Sequence, residues 1–587
     1  MKDNKQNLNN LRHSCTHLLA AAVMELWPLT KRAIGPAIEN GFYFDFDFAD
    51  VKISEADFPK IEEKMHGILK SWKSFARYEL SGKDAKKEYP NNPFKEELID
   101  EFSEAGNKPV SFYKSGNYWD LCRGGHVEHP NKELNYFKLL SVAGAYWRGD
   151  EKNQMLTRIY GTCWPSQKEL EVYLQSLALA KESDHRVIGQ KLGLFVFADL
   201  VGKGLPLLTA KGAAIRRELE RFTVDEEIKR GYQHVVTPPL AKVELYRTSG
   251  HYPYYKDTMY PPMIVDEDEL ILRPMTCPHH FMLYKSEPRS YKQLPIRYAE
   301  ISPQFRYEKS GELTGLMRVR MFTLADAHII CTLDQVDSEI KGVLELIDFI
   351  NEKLGLKKGI DYRYRLSLGD RADSKKFFKD DLSWEKAEKV LRQVLTELQA
   401  PYYEAPGEAA FYGPKIDVQI KNIAQKEETA FTVQYDFVMP KRFSLEYIDA
   451  DGKTKQPLVV HRSSLGSIER TMAFLIEKFK GAFPLWLSPV QVVVVPISER
   501  HVASARLLQE VLLQKGLRGA IDDRSETMQA KIRDAQLQKV PYVAIIGDKE
   551  IADSPTSVSV RNRQGEVKKL SQTEFIFKLI KEIETKV

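Results

Sequence analysis

Apolar and polar residues alternate with a period of two along MRVRMFTLADAHI, residues 317–329, and this pattern predicts a β-strand. One face of the strand would be apolar or small, from Val319 to Ala327. The opposite face would carry Arg318, Arg320, Phe322, Leu324, Asp326 and His328. Guanidinium groups, a carboxylate and an imidazole along one face predict a binding site built on a sheet.

The same patterns divide the chain into regions of different character. Residues 166–190 place leucines at helical spacing among charges, which predicts a connecting helix. The apolar segments VQVVVVPI (491–498) and VPYVAIIG (540–547) flank a helical stretch and predict buried, parallel strands of a small α/β domain. We therefore predict four regions, namely residues 1–165, the linker 166–190, a long α/β core at 191–484 and a last domain at 488–587.

Composition narrows the class of protein. The chain has 587 residues, 43% hydrophobic and 29% charged, as expected of a globular protein with several domains. The polar start MKDNKQNLNN predicts no signal peptide, and no apolar run approaches the ~18 residues of a membrane span. The cysteines are too scattered for a disulfide framework and favour the reducing cytoplasm: Cys15, Cys122, Cys163, Cys277 and Cys331. A net charge of +4 permits a nucleic-acid partner without indicating one.

Arginines, rather than a glycine-rich loop, are the candidate phosphate ligands. Neither G-x-x-x-x-G-K-[ST] nor a strand-linked G-x-G-x-x-G occurs. The segment 296–316 predicts a strand that ends in FRYE at 305–308 and a long loop leading back into the opening strand. Residues 459–479 predict a strand that passes into a helix, with Gly466 allowing close approach and Arg470 one turn on.

These segments resemble the signature motifs of class II aminoacyl-tRNA synthetases. F-R-x-E, a loop and R-x-x-x-F form the second motif of that family, and G-x-x-R at a helix start forms the third. The first motif ends a long helix with a proline at a dimer interface, which 215–240 matches with Pro239. The resemblance implies an antiparallel-sheet catalytic core within a multidomain α/β and α+β chain, and a homodimer.

The resemblance also implies roles in activating an amino acid with ATP and Mg²⁺. Arg306 would hold the α-phosphate and the amino-acid carboxylate. Phe322 and Arg470 would enclose the adenine, Glu308 would bind its amino group, and Arg318 would contact ATP. The chemistry is an in-line displacement of pyrophosphate, in which positioning and charge neutralisation do nearly all of the catalysis.

Cys277, His328 and His461 are three zinc-type ligands from separate segments. Three protein ligands leave one tetrahedral position open, which is typical of a working zinc ion rather than a structural one. Isolated cysteine and histidine residues usually belong to the core or the surface, so spacing alone leaves both interpretations open. The ligands meet only if the motif assignments hold.

Together with PMTCP, FYGPKID and HRSSLGSIER, these ligands resemble the threonyl-tRNA synthetases, whose zinc binds the amino and hydroxyl groups of threonine. The resemblance implies that Asp326 takes the ammonium group, and it places Met275, Tyr412 and Gln434 around the substrate and Lys415 in the catalytic pocket. Leu324 and Thr429 stand where that family often has glutamine, so side-chain contacts there stay open.

Serine differs from threonine by one methyl group, worth roughly 1–3 kcal/mol, so a faithful enzyme needs a second, editing site. His13 and His17 lie one helical turn apart, and Cys122 and His126 follow in YWDLCRGGH. By ligand chemistry alone these four residues, which we call the editing quartet, predict a metal site. The alternative is that His13 and His17 simply belong to a surface helix. The resemblance instead implies hydrolysis of seryl-tRNA, with Asp120 and Lys95 nearby, and leaves metal occupancy open.

The last domain resembles the anticodon-binding domain of the same subgroup. Arg524, Glu550 and Arg561 would then contact anticodon bases of tRNA(Thr), although a solvated charged surface explains each equally well. Bacterial relatives usually carry a β-grasp-like domain before the editing domain, and so short a segment precedes His13 that we expect it to be missing. Two further interpretations stay open: a non-catalytic RNA-binding relative, and an enzyme specific for serine or proline.

Overall fold

The computed structural model describes residues 2–104, 108–150, 152–422, 426–553 and 557–586. The chain forms two compact units, Met1–Ala178 and Leu179–Val587. The division falls inside the linker predicted at 166–190. Among the helices of the described ranges, none combines the length and apolar character that a bilayer crossing needs.

The first unit is an α+β arrangement around one long helix. The apolar stretch of that helix packs on the strand Gly41–Asp47, whose Phe42, Phe44 and Phe46 are buried as the period of two requires. Its sheets contain the strands Lys31–Arg32, Ala37–Ile38, Gly41–Asp47, Tyr136–Tyr146 and Met155–Trp164, and Ala76–Leu80, Val110–Ser115 and Tyr118–Leu121. Its helices are Lys2–Leu26, Phe58–Leu69, Gly82–Lys87, Pro93–Phe102 and Pro130–Glu133, and the division between the units falls within the helix Gln167–Glu182.

The linker is two helices rather than the single helix predicted. Gln167–Glu182 ends before Ser183, and His185–Leu192 begins after Asp184, whose side chain accepts a hydrogen bond from the Arg186 backbone amide at 2.7 Å. An aspartate in the N-cap position stabilises a new helix start, which explains the break.

The second unit is built on an eight-stranded, mainly antiparallel sheet. In spatial order its strands are Gln233–His234, Ile296–Phe305, Met321–Cys331, Leu458–Ser467, Glu427–Asp436, Lys415–Lys421, Tyr362–Leu368 and Tyr402–Pro406. The helices Ala210–Lys229, Val336–Lys353, Asp381–Glu397 and Ile468–Phe479 supply buried apolar residues to the core with this sheet. This is the antiparallel core that the motifs imply.

The predicted antiparallel pair is confirmed, and we name Ile296–Phe305 and Met321–Cys331 the central hairpin and residues 306–320 the central loop. Its second strand begins at Met321, so the prediction of a strand from 317 was wrong at its start. Arg318 and Arg320 lie in the loop, where the chain forms a bridge between Thr314 and Arg318 instead of a ladder.

The C-terminal part confirms the predicted parallel strands. Val492–Pro496 pairs in parallel with Tyr542–Ile546 and Gly519–Ile521, and Ser557–Asn562 and Val567–Ser571 extend the sheet antiparallel. Its helices are Val502–Gln514, Met528–Leu537, Asp548–Asp553 and Gln572–Thr585.

Shorter elements complete the second unit. These are the helices Val243–Ser249, His251–Tyr254, Cys277–Lys285 and Met439–Arg442, and the strands Phe195–Val196, Leu207–Leu208, Leu240–Lys242, Met263–Val265, Asp268–Leu272, Tyr447–Ile448 and Thr454–Lys455.

Candidate functional site

Strand register brings two of the predicted metal ligands together. His328 pairs directly with His461 across neighbouring antiparallel strands, and their ring centroids lie 4.7 Å apart. Cys277 approaches from the first turn of its own helix, Cys277–Lys285. The ligand atoms of all three buried residues lie within 4.8 Å of one another. The structure thus brings together ligands from three remote segments.

Each imidazole of this triad is oriented through its other nitrogen. Nε2 of His461 lies 2.6 Å from Oδ2 of Asp436, which leaves Nδ1 free to face a metal. Nδ1 of His328 lies 2.9 Å from Nδ1 of His280, which leaves Nε2. Partners of this kind set the tautomer and orientation of metal-binding histidines. The donor set therefore fits a zinc ion with one open position.

Burial shifts the pKa values of Cys277 and His328. Burial raises the pKa of the Cys277 thiol well above its usual range, and the charges of Asp326 and Asp436 raise it further. Burial also lowers the pKa of His328 well below its usual value, and His461 and His280 add to this. The imidazole of His328 is consequently neutral near pH 7, which is the form that binds metal.

The predicted substrate residues surround the triad. Asp326 lies on the second strand of the central hairpin, just past a shift in that strand's pairing with Leu458–Ser467, and Nε2 of Gln304 donates to its carboxylate at 3.3 Å. Burial raises the pKa of this carboxyl group. The Tyr412 hydroxyl donates to the side-chain oxygen of Gln434, and its ring lies 5.2 Å from that of His461.

Lys415 and Met275 border the same region. Lys415 is opposite Gln434 in the strand register, and its ammonium group lies 3.0 Å from the buried Asp417. Met275 is half-buried and packs with the apolar cluster that contains Cys277 and Phe281. The roles of Lys415 in the catalytic pocket and of Met275 beside the substrate stay predictions.

The predicted ATP residues gather at the loop end of the central hairpin. The guanidinium carbon of Arg306 lies 5.0 Å from the centre of the Phe322 ring, and Arg318 forms an ion pair with Glu308 at 2.8 Å. Arg470 donates from Nε to the carbonyl of Met317 at 3.1 Å. It also donates from Nη1 to the Thr429 carbonyl at 3.0 Å, so the Thr429 side chain is not its partner.

Gly466 lies where the third-motif strand passes close to its neighbour. Its φ is +69°, and a Cβ atom there would lie 2.3 Å from the carbonyl oxygen of Ala430. Only glycine fits this close approach without strain. The close approach that the sequence predicted is thus observed.

A second cluster lies in the first unit. Sγ of Cys122 lies 3.5 Å from Nε2 of both His13 and His126, and the four ligand atoms, including that of His17, lie within 4.8 Å of one another. Both ring nitrogens of His17 are buried and lack a hydrogen-bond partner among the described residues. Burial lowers the pKa of His126 to about 3 and raises that of Cys122 to about 11.

A buried carboxylate supports that cluster. Asp120 lies 2.7 Å from the Lys95 ammonium group and 3.5 Å from Arg32, and it accepts hydrogen bonds from the hydroxyls of Tyr89 and Tyr118. Although burial opposes ionisation of Asp120, Lys95 and Arg32 outweigh it, and the pKa of Asp120 lies below its usual value.

The three predicted anticodon residues differ in exposure. Arg524 is exposed and forms ion pairs with Asp522 and Asp534. Glu550 is buried, where it accepts hydrogen bonds from the Gly547 amide at 2.9 Å and from the Ser559 hydroxyl. Arg561 donates to the carbonyl of Gly565 at 3.1 Å.

Sequence reasoning missed the residues that hold the site residues in place. His280, Asp436 and Glu300 support the metal triad, and Arg32, Tyr89 and Tyr118 support Asp120. The pair HH in PMTCPHH was the one local signal, since the second histidine follows the cysteine by a helical turn. The remaining supporting residues stand at no characteristic spacing from the site residues, so the sequence does not distinguish them from ordinary polar residues.

Comparisons with known proteins agree with this geometry. Residues 260–479 match the family model of the class II tRNA synthetase core domain (G, H, P, S and T). Residues 491–583 match the anticodon binding domain, and 110–160 match the threonyl and alanyl tRNA synthetase second additional domain.

Individual relatives are similar over most of their length. A threonine–tRNA ligase of Anoxybacillus flavithermus is 49% identical over 95% of this chain and 86% of its own length. That of Staphylococcus carnosus is 48% identical over 99% of this chain and 89% of its own. A crystal structure titled as the RNA binding domain of threonyl-tRNA synthetase from Cryptosporidium parvum superposes with a TM-score of 0.64 at 35% identity, covering 68% of this chain and 98% of that one. The chain therefore belongs to the threonine–tRNA ligases, the threonyl-tRNA synthetases of class II.

Proposed function

We propose that this threonine–tRNA ligase selects threonine with a zinc ion held by Cys277, His328 and His461. The observation that supports this most directly is the convergence of three buried ligand atoms within 4.8 Å, each imidazole being oriented from behind. When bound, the zinc would supply a Lewis acid for the amino and hydroxyl groups of threonine. Valine lacks the hydroxyl and would leave that position unpaired, which is heavily penalised.

The other residues of the pocket bind and orient the two substrates. Asp326 would accept the substrate ammonium group, and Met275, Tyr412 and Gln434 would line the side-chain pocket. Burial raises the pKa of Asp326, and an ammonium group beside it would lower that pKa and favour the carboxylate. Gln304 already fixes one oxygen of this carboxylate.

ATP would lie along the arginines of the hairpin. Arg306 would bridge the α-phosphate and the threonine carboxylate, and Phe322 and Arg470 would enclose adenine, with Glu308 at its amino group. Arg318 and Lys415 would neutralise phosphate charge together with Mg²⁺. The threonine carboxylate attacks the α-phosphorus, and the bond to pyrophosphate breaks. The resulting adenylate then transfers threonine to tRNA(Thr), as the bond between the acyl carbon and the phosphate oxygen breaks and AMP leaves.

The first unit would hydrolyse seryl-tRNA. His13, His17, Cys122 and His126 would line the pocket, and Lys95 and Asp120 would complete it. An unpartnered buried imidazole at His17 supports a role toward a ligand, because buried polar groups normally have hydrogen-bond partners.

Two further contacts complete the proposal. Arg524 and Arg561 would bind anticodon bases, whereas Glu550 would shape that surface through its buried hydrogen bonds. A homodimer would form around Pro239, where Ile228, Val236 and Leu240 expose apolar side chains.

The test is threonine-dependent exchange of pyrophosphate into ATP, compared with serine and proline, together with zinc content per chain. We expect threonine to be preferred and one zinc ion to be bound. Absence of exchange with all three amino acids would overturn the enzymatic proposal, and a preference for serine or proline would overturn the specificity. Two zinc ions per chain would show that the editing quartet also holds a metal.

A further inference from the structure

A buried histidine at the start of the second linker helix reaches the central loop. His185 is only 2% exposed and is the first residue of His185–Leu192. It belongs to neither predicted cluster of site residues. Its helix packs against Ile468–Phe479, the helix that carries Arg470.

Both ring nitrogens of His185 are engaged, and in different directions. Nε2 accepts a hydrogen bond from the backbone amide of Leu316 at 3.1 Å. Nδ1 lies 2.8 Å from Oε1 of Glu477, and the His185 backbone amide donates to the same oxygen at 3.3 Å. An accepting Nε2 carries no proton, so Nδ1 carries it and donates to the carboxylate. The contacts therefore specify one neutral tautomer.

This arrangement also explains why Asp184, His185 and Glu477 lie close together. Their ligand atoms are within 4.8 Å of one another, as in a metal site. However, the ring nitrogen that faces Asp184 and Glu477 is Nδ1, and it carries the proton because Nε2 accepts from the Leu316 amide, so Nδ1 has no free lone pair for a metal. The cluster is a hydrogen-bonded brace between a helix and a loop.

The brace restrains consecutive residues of the central loop. Gly315 has a φ of +49°, and a Cβ atom there would lie 2.2 Å from Nε2 of His185. Leu316 is buried in the core, and the Met317 carbonyl accepts from Arg470. The next residue is Arg318, which pairs with Glu308. Thus His185 and Arg470 hold the loop from two sides just before a proposed ATP residue.

We infer that His185 is a positioning residue that holds this arm of the central loop in the shape that binds ATP. The inference rests on the proposed role of Arg318, Glu308 and Arg470 in ATP binding. Without the hydrogen bond from Leu316 to His185, the loop would have to become ordered when ATP binds. Part of the binding free energy would go into this ordering, so the affinity for ATP would fall. Threonine contacts lie farther along the hairpin and do not depend on Leu316.

Two substitutions separate the two bonds of His185. His185→Asn keeps a donor near Glu477 but is too short to reach Leu316, whereas His185→Gln can offer an acceptor oxygen to the Leu316 amide. In threonine-dependent pyrophosphate exchange, we expect His185→Asn to raise KM for ATP about tenfold, since the buried Leu316 amide is left unpaired. KM for threonine should stay within about twofold, and His185→Gln should raise KM for ATP less than about threefold.

His501→Asn is the matched control. His501 is also buried and also hydrogen-bonded through both nitrogens, to Ser498 and Asp548, but it lies in the C-terminal domain. We expect its KM for ATP to be unchanged. A folded His185→Asn enzyme with a wild-type KM for ATP would overturn the inference. So would an equal rise in KM for ATP and threonine.

Gly315→Ala approaches the same contact from the loop and decides the matter if His185→Asn does not fold. Its Cβ would push against His185 while leaving the helix intact. A rise in KM for ATP alone supports the inference, and an unchanged KM overturns it. If the wild-type chain itself lacks threonine-dependent exchange, the proposed function fails instead, so the two failures are distinct.

Discussion

Nδ1 of His328 lies 2.9 Å from Nδ1 of His280, and Nε2 of His280 lies 3.3 Å from the carboxylate of Glu300. If His328 binds metal through Nε2, its Nδ1 carries the proton and donates to His280. His280 must then carry its own proton on Nε2 and donate it to Glu300. Arg273 and Thr237 hold that carboxylate in turn, and its pKa is lowered to about 2.

The hydrogen bonds that link His328 to His280 and His280 to Glu300 predict that substitutions of His280 weaken zinc binding to different extents. His280→Leu removes the acceptor for His328 and should weaken zinc binding about 10–100-fold, as measured by competition with a chelator. His280→Gln can still accept and donate and should lose less. His279→Gln is the neighbouring control, because neither nitrogen of His279 has a hydrogen-bond partner among the described residues. Equal zinc affinity in His280→Leu and wild type would contradict the proposal that His280 orients His328 for zinc binding.

The editing quartet predicts a separation of activities. His17→Ala should leave threonine-dependent exchange near the wild-type rate, because His17 belongs to the first unit. Hydrolysis of seryl-tRNA should fall by about 10²-fold or more if the imidazole takes part in proton transfer. The measurement is deacylation of preformed seryl-tRNA. His66→Ala, on another helix of that unit, is the control. Unchanged deacylation in His17→Ala would show that His17 takes no part in hydrolysis of seryl-tRNA.

Asp120→Asn should destabilise the first unit. The change leaves Lys95 and Arg32 buried without their counter-charge, which typically costs about 3–5 kcal/mol. Hydrogen exchange of residues 110–121 in the full chain would report this loss of stability as faster exchange.

The pH dependence of this effect has a definite sign. Because the pKa of Asp120 is lower in the folded state than in the unfolded state, its contribution is present above the unfolded value of about 4. It is lost as the pH falls below that value toward the folded pKa. The difference between Asp120→Asn and wild type should therefore be constant from about pH 5 to 8 and shrink in more acidic solution. A difference that grows on acidification would refute the ion-pair explanation.

Gly466→Ala should impair ATP use strongly. Its Cβ would meet the Ala430 carbonyl at 2.3 Å, and the left-handed backbone adds strain of about 1–2 kcal/mol. The strand would have to shift next to Arg470. We expect exchange to fall by at least about tenfold, with zinc content unchanged because the triad lies farther along the strand. Gly342→Ala, where a Cβ meets nothing within 4 Å, is the control.

The sequence by itself determined the local elements and the types of ligand. The period of two predicted a strand of the central hairpin, since side-chain alternation is a property of a single strand. Continuous apolar segments on either side of a helical stretch predicted the parallel strands of the C-terminal domain. Motif spacing predicted Gly466 and Arg470, and the residue types of the zinc triad and the editing quartet indicated their chemistry. The start of the second hairpin strand was wrong, because the alternation of Arg318 and Arg320 continues into a loop that the Thr314–Arg318 bridge holds.

Only the tertiary structure decided which side chains meet and what supports them. His328 and His461 are far apart in sequence and become neighbours through strand register, while Cys277 reaches them from a separate helix. His280, Asp436 and His185 gained their roles from contacts between elements. Such contacts depend on how the sheets and helices pack, and a pattern of hydrophobic and polar residues along the chain carries no information about a hydrogen bond between distant side chains.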